Sequence, residues 1–128
     1  MQFLDHHVTE FRLLAHVAVA MLLGATIGLE REFKDKPAGL RTHMLVAGAA
    51  ALLVTLGDVV VSHFQFELGV QVVQSDPIRI IAAVITGVSF LGAGTIIRSK
   101  ARNQVEGLTT AATLLIAAAV GISVSLSH

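Results

Sequence analysis

Charged residues in one part of this chain are spaced closely enough to act together. Glu30, Arg31 and Glu32 are followed, after a Pro-Ala-Gly break, by Arg41. Glu30 and Arg41 can pair when the segments on the two sides of the break are antiparallel neighbours, and burial would make such a pair specific. These residues are therefore candidates for an ion-pair site.

Three carboxylates are candidates for weak Mg²⁺ binding, because this ion takes one or two carboxylates and keeps several waters. They are Asp58, Asp76 and Glu30, and nothing in the sequence fixes their separation. Asp76 also precedes Pro77 at a predicted helix start, where it can cap free N–H groups or pair with Arg79. We expect no resident cofactor.

Enzyme motifs are missing from the sequence. It contains no P-loop, no HExxH and no Gly-x-Ser-x-Gly, and it has no cysteine to serve as nucleophile or thiolate ligand. The six histidines are scattered, and we expect most of them to lie in a membrane interface or in water. The sequence predicts a protein that is not an enzyme.

Four long apolar stretches must position these residues, and they lie at 13–29, 44–61, 80–97 and 108–126. The chain is 54% hydrophobic and 14% charged, its mean hydropathy is +0.76, and Asp58 is the one formally charged residue inside the stretches. A hydrocarbon layer about 30 Å thick needs roughly 17–25 helical residues. A soluble four-helix bundle would need polar outer faces, which these stretches do not offer. We predict an all-α, polytopic bundle of four transmembrane helices in a single domain, 1–128.

Basic residues predict the orientation of the bundle. Seven of the nine Lys and Arg residues follow the first and third stretches, and loops rich in these residues stay in the cytoplasm. Both termini are therefore expected outside, and the first helix is expected to be retained because no signal peptide precedes it. Residues 63–74 alternate apolar and polar positions, and we favour an amphipathic extension of the second helix in the interface over an isolated strand.

Small residues should hold the helices together, because lipid gives little hydrophobic reward for helix association. Gly24 and Gly28 form a GxxxG pattern in the first helix. Gly87, Gly107 and Gly121 belong to similar small-residue patterns in the third and fourth helices. Small residues at these positions leave notches on the helix surface that another helix can enter. They predict close helix packing and a homodimer or higher oligomer.

Two further patterns could do more than pack. Gly92 and Gly94 could expose carbonyl oxygens to an ion or act as hinges. One face of the second helix is small or polar and should look into the bundle; it carries His43, Ala47, Ala51, Thr55, Asp58 and Ser62. Asp58 lies about 22 Å along the helix from His43, near the outer interface, which favours a water-accessible carboxylate over an ion- or proton-binding site.

Four sequence blocks resemble the signature blocks of a known family. They are GLEREFKDKPAGLRTHMLV (28–46), DPIRI (76–80), GVSFLGAGTIIR (87–98) and VEGLTTAATL (105–114). In content and order they resemble the MgtC/SapB family of bacterial inner-membrane proteins. The resemblance implies a multi-pass protein of the cell inner membrane. Members are associated with growth at low magnesium, acid tolerance and survival in macrophages, and restraint of the membrane ATP synthase has been proposed for virulence members.

The resemblance also implies candidate functional positions, which match the family's motifs residue by residue. They are Glu30, Arg31, Glu32, Ala38, Gly39, Leu40, Arg41, Thr42, Asp76, Pro77, Arg79, Gly87, Phe90, Leu91, Gly92, Gly94, Gly107, Leu108, Thr109 and Thr110. Typical members continue with a fifth helix and often a soluble C-terminal domain, so the chain resembles a short form. The virulence branch tends to have Asn at Thr109 and Cys at Ile116, which weakens a virulence assignment.

Two functions are left open by the sequence. The favoured one is a non-enzymatic regulator linked to magnesium homeostasis, stress adaptation or virulence, which acts through membrane-protein partners such as the ATP synthase. The alternative is a cation channel or transporter for Mg²⁺ or protons, in which the three candidate carboxylates bind the ion. We favour the regulator because a charged pathway at mid-membrane is missing. Balanced charge, nine basic against nine acidic residues, argues against a nucleic-acid partner.

Overall fold

Four helices are present in the computed structural model, which describes residues 2–68, 77–99 and 104–127. They are α1 (Gln2–Phe33), α2 (Leu40–Leu68), α3 (Pro77–Thr95) and α4 (Leu108–Ser125). Each contains a segment long and apolar enough to cross a membrane, at Glu10–Phe33, Leu40–Ser62, Ile78–Thr95 and Leu108–Ser125. The predicted all-α bundle of four transmembrane helices is confirmed.

Two helices, α1 and α2, extend well beyond the apolar stretches that predicted them. α1 begins at Gln2 and α2 ends at Leu68, because hydropathy marks only the part of a helix that matches the hydrocarbon layer. α2 continues as a helix as far as Leu68, which lies within the segment 63–74, and the extension favoured for that segment stays a prediction. Its side chains beyond Ser62, residues 69–76 and with them Asp76 lie outside the described residues, so the interfacial position and the cap at Asp76 stay predictions.

Alanine and glycine form most of the contact between the helices. α1 packs most extensively on α2, α2 and α1 both pack on α4, and α3 packs mainly on α4 and least on α2. A first core cluster consists of Ala20, Ala47, Ala51 and Ala117, all without exposed surface. A second cluster joins α2, α3 and α4 through Val54, Val84, Val88, Leu114, Ala118 and Ile122, together with Ala38 and Ala50. Small side chains let the helix backbones approach closely, as association in lipid requires.

A tight turn connects α1 to α2. Lys34 and Asp35 donate backbone hydrogen bonds to the carbonyls of Arg31 and Glu32, and Lys36 donates to Arg31 as well. Asp35 has a φ of 49°, a left-handed conformation that Asp tolerates better than most residues. Pro37 follows and prevents the first helix from resuming before α2 begins at Leu40. The turn makes α1 and α2 antiparallel neighbours.

A short β-hairpin connects α3 to α4, which the sequence did not predict. β1 (Ile97–Ser99) pairs antiparallel with β2 (Gln104–Glu106), and Arg98 lies opposite Val105. The predicted span 80–97 is thus shortened, because α3 ends at Thr95 and Ile97 is already in a strand. Pairing the strands satisfies backbone groups that a polar loop beside a membrane would leave to water.

The hairpin and the α1–α2 turn lie at the same end of the bundle. Gly28 contacts Leu40 there, Gly92 contacts Ala111, and His43 contacts Thr113. We call this the basic end and define it as residues 30–43 and 92–113, of which 100–103 are outside the described residues. Its predicted cytoplasmic location stays a prediction.

Candidate functional site

Glu30 forms ion pairs within its own helix at the basic end. Its carboxylate lies 2.5 Å from the Arg31 Nη2 and 2.5 Å from the Lys34 Nζ, and it accepts a 2.7 Å hydrogen bond from the Arg31 Nε. The predicted pair between Glu30 and Arg41 is not formed, and Arg41 is exposed. The i,i+4 spacing places Lys34 next to Glu30 on the helix surface, whereas Arg41 must be reached across the turn.

Glu32 connects the end of α1 to the start of α2. Its Oε2 accepts a 2.7 Å hydrogen bond from the backbone N–H of Leu40, the first residue of α2. A Cβ on Gly39 would lie 2.7 Å from the same oxygen, so glycine leaves room for the carboxylate. Glu32 therefore satisfies an N–H that the helix start leaves unpaired, and its negative charge suits the positive end of the helix dipole.

His43 is the largest fully buried side chain among the described residues, with no exposed surface. Its Nδ1 lies 2.9 Å from the carbonyl oxygen of Gly39, and its Nε2 lies 3.0 Å from the Thr113 Oγ1. The Thr113 hydroxyl also lies 2.9 Å from the carbonyl oxygen of Thr110, to which it can donate. The imidazole thus joins α2 to α4 through a chain of polar contacts inside the bundle.

The site at His43 was only partly visible in the sequence. The small-or-polar face of α2 does look inward at the basic end, where His43, Ala47 and Ala51 are buried, while Asp58 and Ser62 farther along are exposed. The burial of His43 agrees with its place on the face of the second helix that was predicted to look into the bundle. Its partner Thr113 is 70 residues away in the chain, and no local spacing could have identified that contact.

Three glycines allow the helices around His43 to approach. A Cβ on Gly24 would lie 2.6 Å from the His43 carbonyl oxygen, and one on Gly28 would lie 2.6 Å from the Leu40 Cα. A Cβ on Gly121 would clash with the Ala47 carbonyl oxygen and lie 3.0 Å from the Ala50 Cβ. These glycines therefore stand where α1 and α4 touch the backbone of α2.

Two glycines position the hairpin and α4. Gly107 precedes α4 with a φ of 91°, and a Cβ there would clash with the Thr95 carbonyl oxygen. Gly92 is buried, and a Cβ on it would lie 3.3 Å from the Ala111 Cβ, which is a tight contact. The backbone at Gly107 therefore needs glycine on two counts, its left-handed conformation and its contact with the end of α3.

Gly87 and Gly94 face away from the bundle. A Cβ at either position would have no neighbouring atom within 4 Å, and Phe90 on the same side of α3 is 80% exposed. Gly87 was predicted to be a packing notch, but no other helix of this bundle enters the space beside it. It also borders an apolar groove of about 750 Å³ between α2 and α3, which is lined by residues such as Leu53, Ala83 and Val84.

The candidate carboxylates for Mg²⁺ are far apart. Glu30 lies at the basic end, whereas Asp58 is exposed on α2 about 27 Å farther along, at 1.5 Å per residue from Leu40. Within the described part of the chain, no group of three His, Cys, Asp or Glu side chains is placed to hold a metal ion. Asp76 is outside that part. Glu30 and Asp58 cannot share one ion.

Most of the remaining candidate residues are on the surface. Arg79 is exposed near the start of α3, and Thr42 and Thr109 are exposed at the starts of α2 and α4. Thr110 is buried beside the His43–Thr113 contact. Of the sequence-predicted site residues, the structure therefore brings Glu32, Gly39 and Thr110 close to the buried polar contacts.

The fold and the buried contacts at the basic end define a polytopic helical membrane protein with a small-residue core. The family model of the MgtC family matches residues 17–128. The chain belongs to the MgtC family.

Curated relatives share this part of their sequence with the chain. Protein SapB of Bacillus subtilis is 38% identical over 111 residues, which cover 87% of this chain and 46% of that protein. Protein MgtC of Brucella melitensis is 43% identical over 113 residues, or 85% of this chain and 42% of that protein. The putative magnesium transporter YhiD of Escherichia coli is 44% identical over 109 residues, or 83% of this chain and 46% of that protein.

The chain therefore spans less than half the length of these curated relatives. No solved structure matches it.

Proposed function

We propose that this protein is a non-enzymatic regulator in the bacterial inner membrane, which acts by binding another membrane protein or a second copy of itself. The outward glycine face of α3 supports this proposal. Gly87 and Gly94 leave open space beside the exposed Phe90, so the helix offers notches that its own bundle does not fill. In lipid, small residues on an outer face let a second helix approach closely, which is the main source of helix association there.

The groove between α2 and α3 extends this surface. It is apolar, measures about 750 Å³, and includes Gly57 and Gly87 along its two walls. Lipid chains cover such a groove when no protein does, and a transmembrane helix with small side chains would displace them. Because α3 contacts α2 less than it contacts α4, a partner helix could contact both walls.

The link to magnesium comes from the relatives. The Escherichia coli relative is named a putative magnesium transporter, and the family resemblance connects members to magnesium limitation, stress adaptation and virulence. We propose magnesium homeostasis as the process that this chain regulates. The membrane ATP synthase, implied by the same resemblance, is the first partner to test.

Adjacent alanines on α3 provide a matched test of the binding surface. Ala83 lines the groove, while Ala82 is exposed and is not part of the groove lining. Ala83→Leu should reduce recovery of the partner from detergent extracts at least fivefold, measured with a tagged chain, whereas Ala82→Leu should leave recovery unchanged. A second, differently tagged copy measures self-association in the same experiment. Equal recovery with both variants would contradict the proposed surface.

Cation transport is the second candidate function, favoured by the name of the Escherichia coli relative. Asp58, exposed on the half of α2 that is away from the basic end, is the one formally charged side chain in the predicted spans that could attract a cation. In liposomes that contain the purified chain alone, a transporter would move Mg²⁺ or protons, and Asp58→Asn should slow that flux. Absence of flux would remove this alternative, and flux without any bound partner would count against the regulator.

A further inference from the structure

One wall of the groove between α2 and α3 is a continuous stripe of apolar side chains on α2. The stripe consists of Leu45, Ala49, Leu53, Leu56 and Val60, which follow one another at intervals of three or four residues. Such intervals keep side chains on one face of a helix, and the helix rises about 22 Å from the first of them to the last. The groove is therefore long, and it is open to the outside of the bundle, since Leu45 is 65% exposed and Leu53 is 51% exposed.

The cross-section of the groove fits a hydrocarbon chain. Its volume of about 750 Å³, spread over about 22 Å of helix, gives a mean cross-section of about 34 Å². An α-helix with its side chains is about 10–12 Å across and would need roughly 80–110 Å². A helix can lie over the groove and insert single side chains, whereas an extended acyl chain fits inside the groove along its length.

Arg41 lies at the basic end of the same stripe, one helical turn before Leu45. It is exposed, and its side chain makes no ion pair or hydrogen bond with the residues that the structure describes. The carboxylates of Glu30 and Glu32 are both occupied by other groups. The guanidinium of Arg41 is therefore available to bind an anion at the end of the groove.

A phospholipid phosphate is the anion expected at this depth. The membrane-spanning segment of α2 begins at Leu40, so Arg41 lies at the border of the hydrocarbon layer, where long basic side chains reach toward the headgroups. A guanidinium binds phosphate through two parallel hydrogen bonds. A lipid bound in this way would have its acyl chain beside Leu45, where the groove begins.

The charge of the chain favours an anionic headgroup at this end of the groove. The basic end has seven basic and four acidic residues, whereas the rest of the chain has two basic and five acidic residues. At the other end of the groove, Arg79 lies one turn before Ala83, but Asp58 is exposed at the same end of α2. Basic sites between transmembrane helices are typical binding sites for anionic lipids.

We propose that the groove binds one anionic phospholipid, with an acyl chain along the α2 stripe and the phosphate at Arg41. The lipid supplies apolar contact between α2 and α3, which pack against each other less than α3 packs on α4. This site goes beyond the proposed function, because lipid binding requires no protein partner. A partner helix that enters the groove would displace the lipid.

Native mass spectrometry of the full chain in detergent tests the site. The anionic probe is palmitoyl-oleoyl phosphatidylglycerol, and the neutral probe is phosphatidylcholine with the same acyl chains. One phosphatidylglycerol should bind about fivefold more tightly than phosphatidylcholine, because the net charge of the headgroup interacts with the basic end. Equal affinity for the two lipids would overturn the proposal.

Two glutamine variants with the same loss of charge test the phosphate contact. Arg41→Gln should weaken binding of the first phosphatidylglycerol about fivefold. Lys36→Gln is the matched control, because it removes an exposed basic residue at the same end that is outside the stripe, and it should leave binding unchanged. Equal affinities of the two variants would refute the contact with Arg41.

Further variants test the acyl chain and the end at which the headgroup lies. Ala49→Leu fills the groove from α2 and should weaken phosphatidylglycerol binding, whereas Ala82→Leu, which is exposed outside the groove, should not. Unchanged binding with Ala49→Leu would refute the position of the acyl chain. Arg79→Gln should also leave binding unchanged, and a loss as large as that of Arg41→Gln would overturn the proposed position of the headgroup. Because lipid binding is measured on the purified chain alone, its failure is distinct from failure of the partner-binding surface.

Discussion

Gly121→Ala is expected to destabilise the bundle because it adds one methyl group where α4 touches α2. The new Cβ would clash with the Ala47 carbonyl oxygen and lie 3.0 Å from the Ala50 Cβ. Neither obstacle can move as a flexible side chain can, since one is backbone and the other is a Cβ. The two helices must therefore separate by about 1 Å to restore ordinary contact distances.

The size of the effect follows from the contacts along that seam. Overpacking of this kind costs about 1–3 kcal/mol. A 1 Å separation would also stretch the 3.0 Å contact between His43 and Thr113, at a further cost of about 1 kcal/mol. Replacing glycine by alanine within a helix stabilises that helix by about 1 kcal/mol, which offsets part of the loss. We expect a net loss of roughly 1–3 kcal/mol in the free energy of unfolding.

Gly87→Ala is the matched control, because it makes the same substitution in a transmembrane helix where a Cβ has no neighbour within 4 Å. It should leave stability unchanged or raise it by up to about 1 kcal/mol. Thermal unfolding in detergent, followed by size-exclusion chromatography, compares the two variants with the parent chain. If Gly121→Ala is as stable as Gly87→Ala, the close approach of α2 and α4 described above is incorrect.

Three further predictions concern the basic end. Gly107→Ala should destabilise the chain by about 2–4 kcal/mol in the same thermal assay, because its φ of 91° and its contact with Thr95 both exclude a side chain; a smaller loss than Gly121→Ala produces would contradict this geometry. Glu32→Ala should cost about 1 kcal/mol by removing the acceptor of the Leu40 N–H, while Glu32→Gln should cost less because it keeps an oxygen there; equal losses would show that charge alone matters. Cysteine at Asp35, in a chain that has no other cysteine, should react with a membrane-impermeant maleimide only after the inner face is opened, and labelling in intact cells would reverse the predicted orientation.

Sequence predicted the bundle well because lipid imposes a length and a composition on any helix that crosses it. The stretch 108–126 and the helix Leu108–Ser125 almost coincide, since α4 carries no charged residue that could extend it into water. α1 is much longer than 13–29 because its polar ends continue the same backbone hydrogen bonding. Hydropathy alone does not detect such continuation.

The candidate site was harder to predict because its contacts depend on tertiary structure. Spacing placed His43 on an inward face, but it gave no reason to select Thr113 from the other hydroxyl residues of the fourth helix. Glu30 was expected to pair across the turn and instead pairs with Arg31 and Lys34 on its own helix. Glu32 reaches the first N–H of the next helix, and a sequence pattern shows capping only when donor and acceptor belong to the same helix start.

The uneven packing of α3 has a consequence for how the bundle loosens. α1, α2 and α4 all pack against one another, whereas α3 contacts the rest of the bundle mostly through one stripe of residues, Val84, Val88 and Gly92. Regions with fewer buried contacts open at lower free energy than the rest of a protein. Amide hydrogens of α3 should therefore exchange with deuterium before those of α2 and α4. The third helix would then be the first element to detach from the bundle and the one most easily exchanged with a neighbouring molecule.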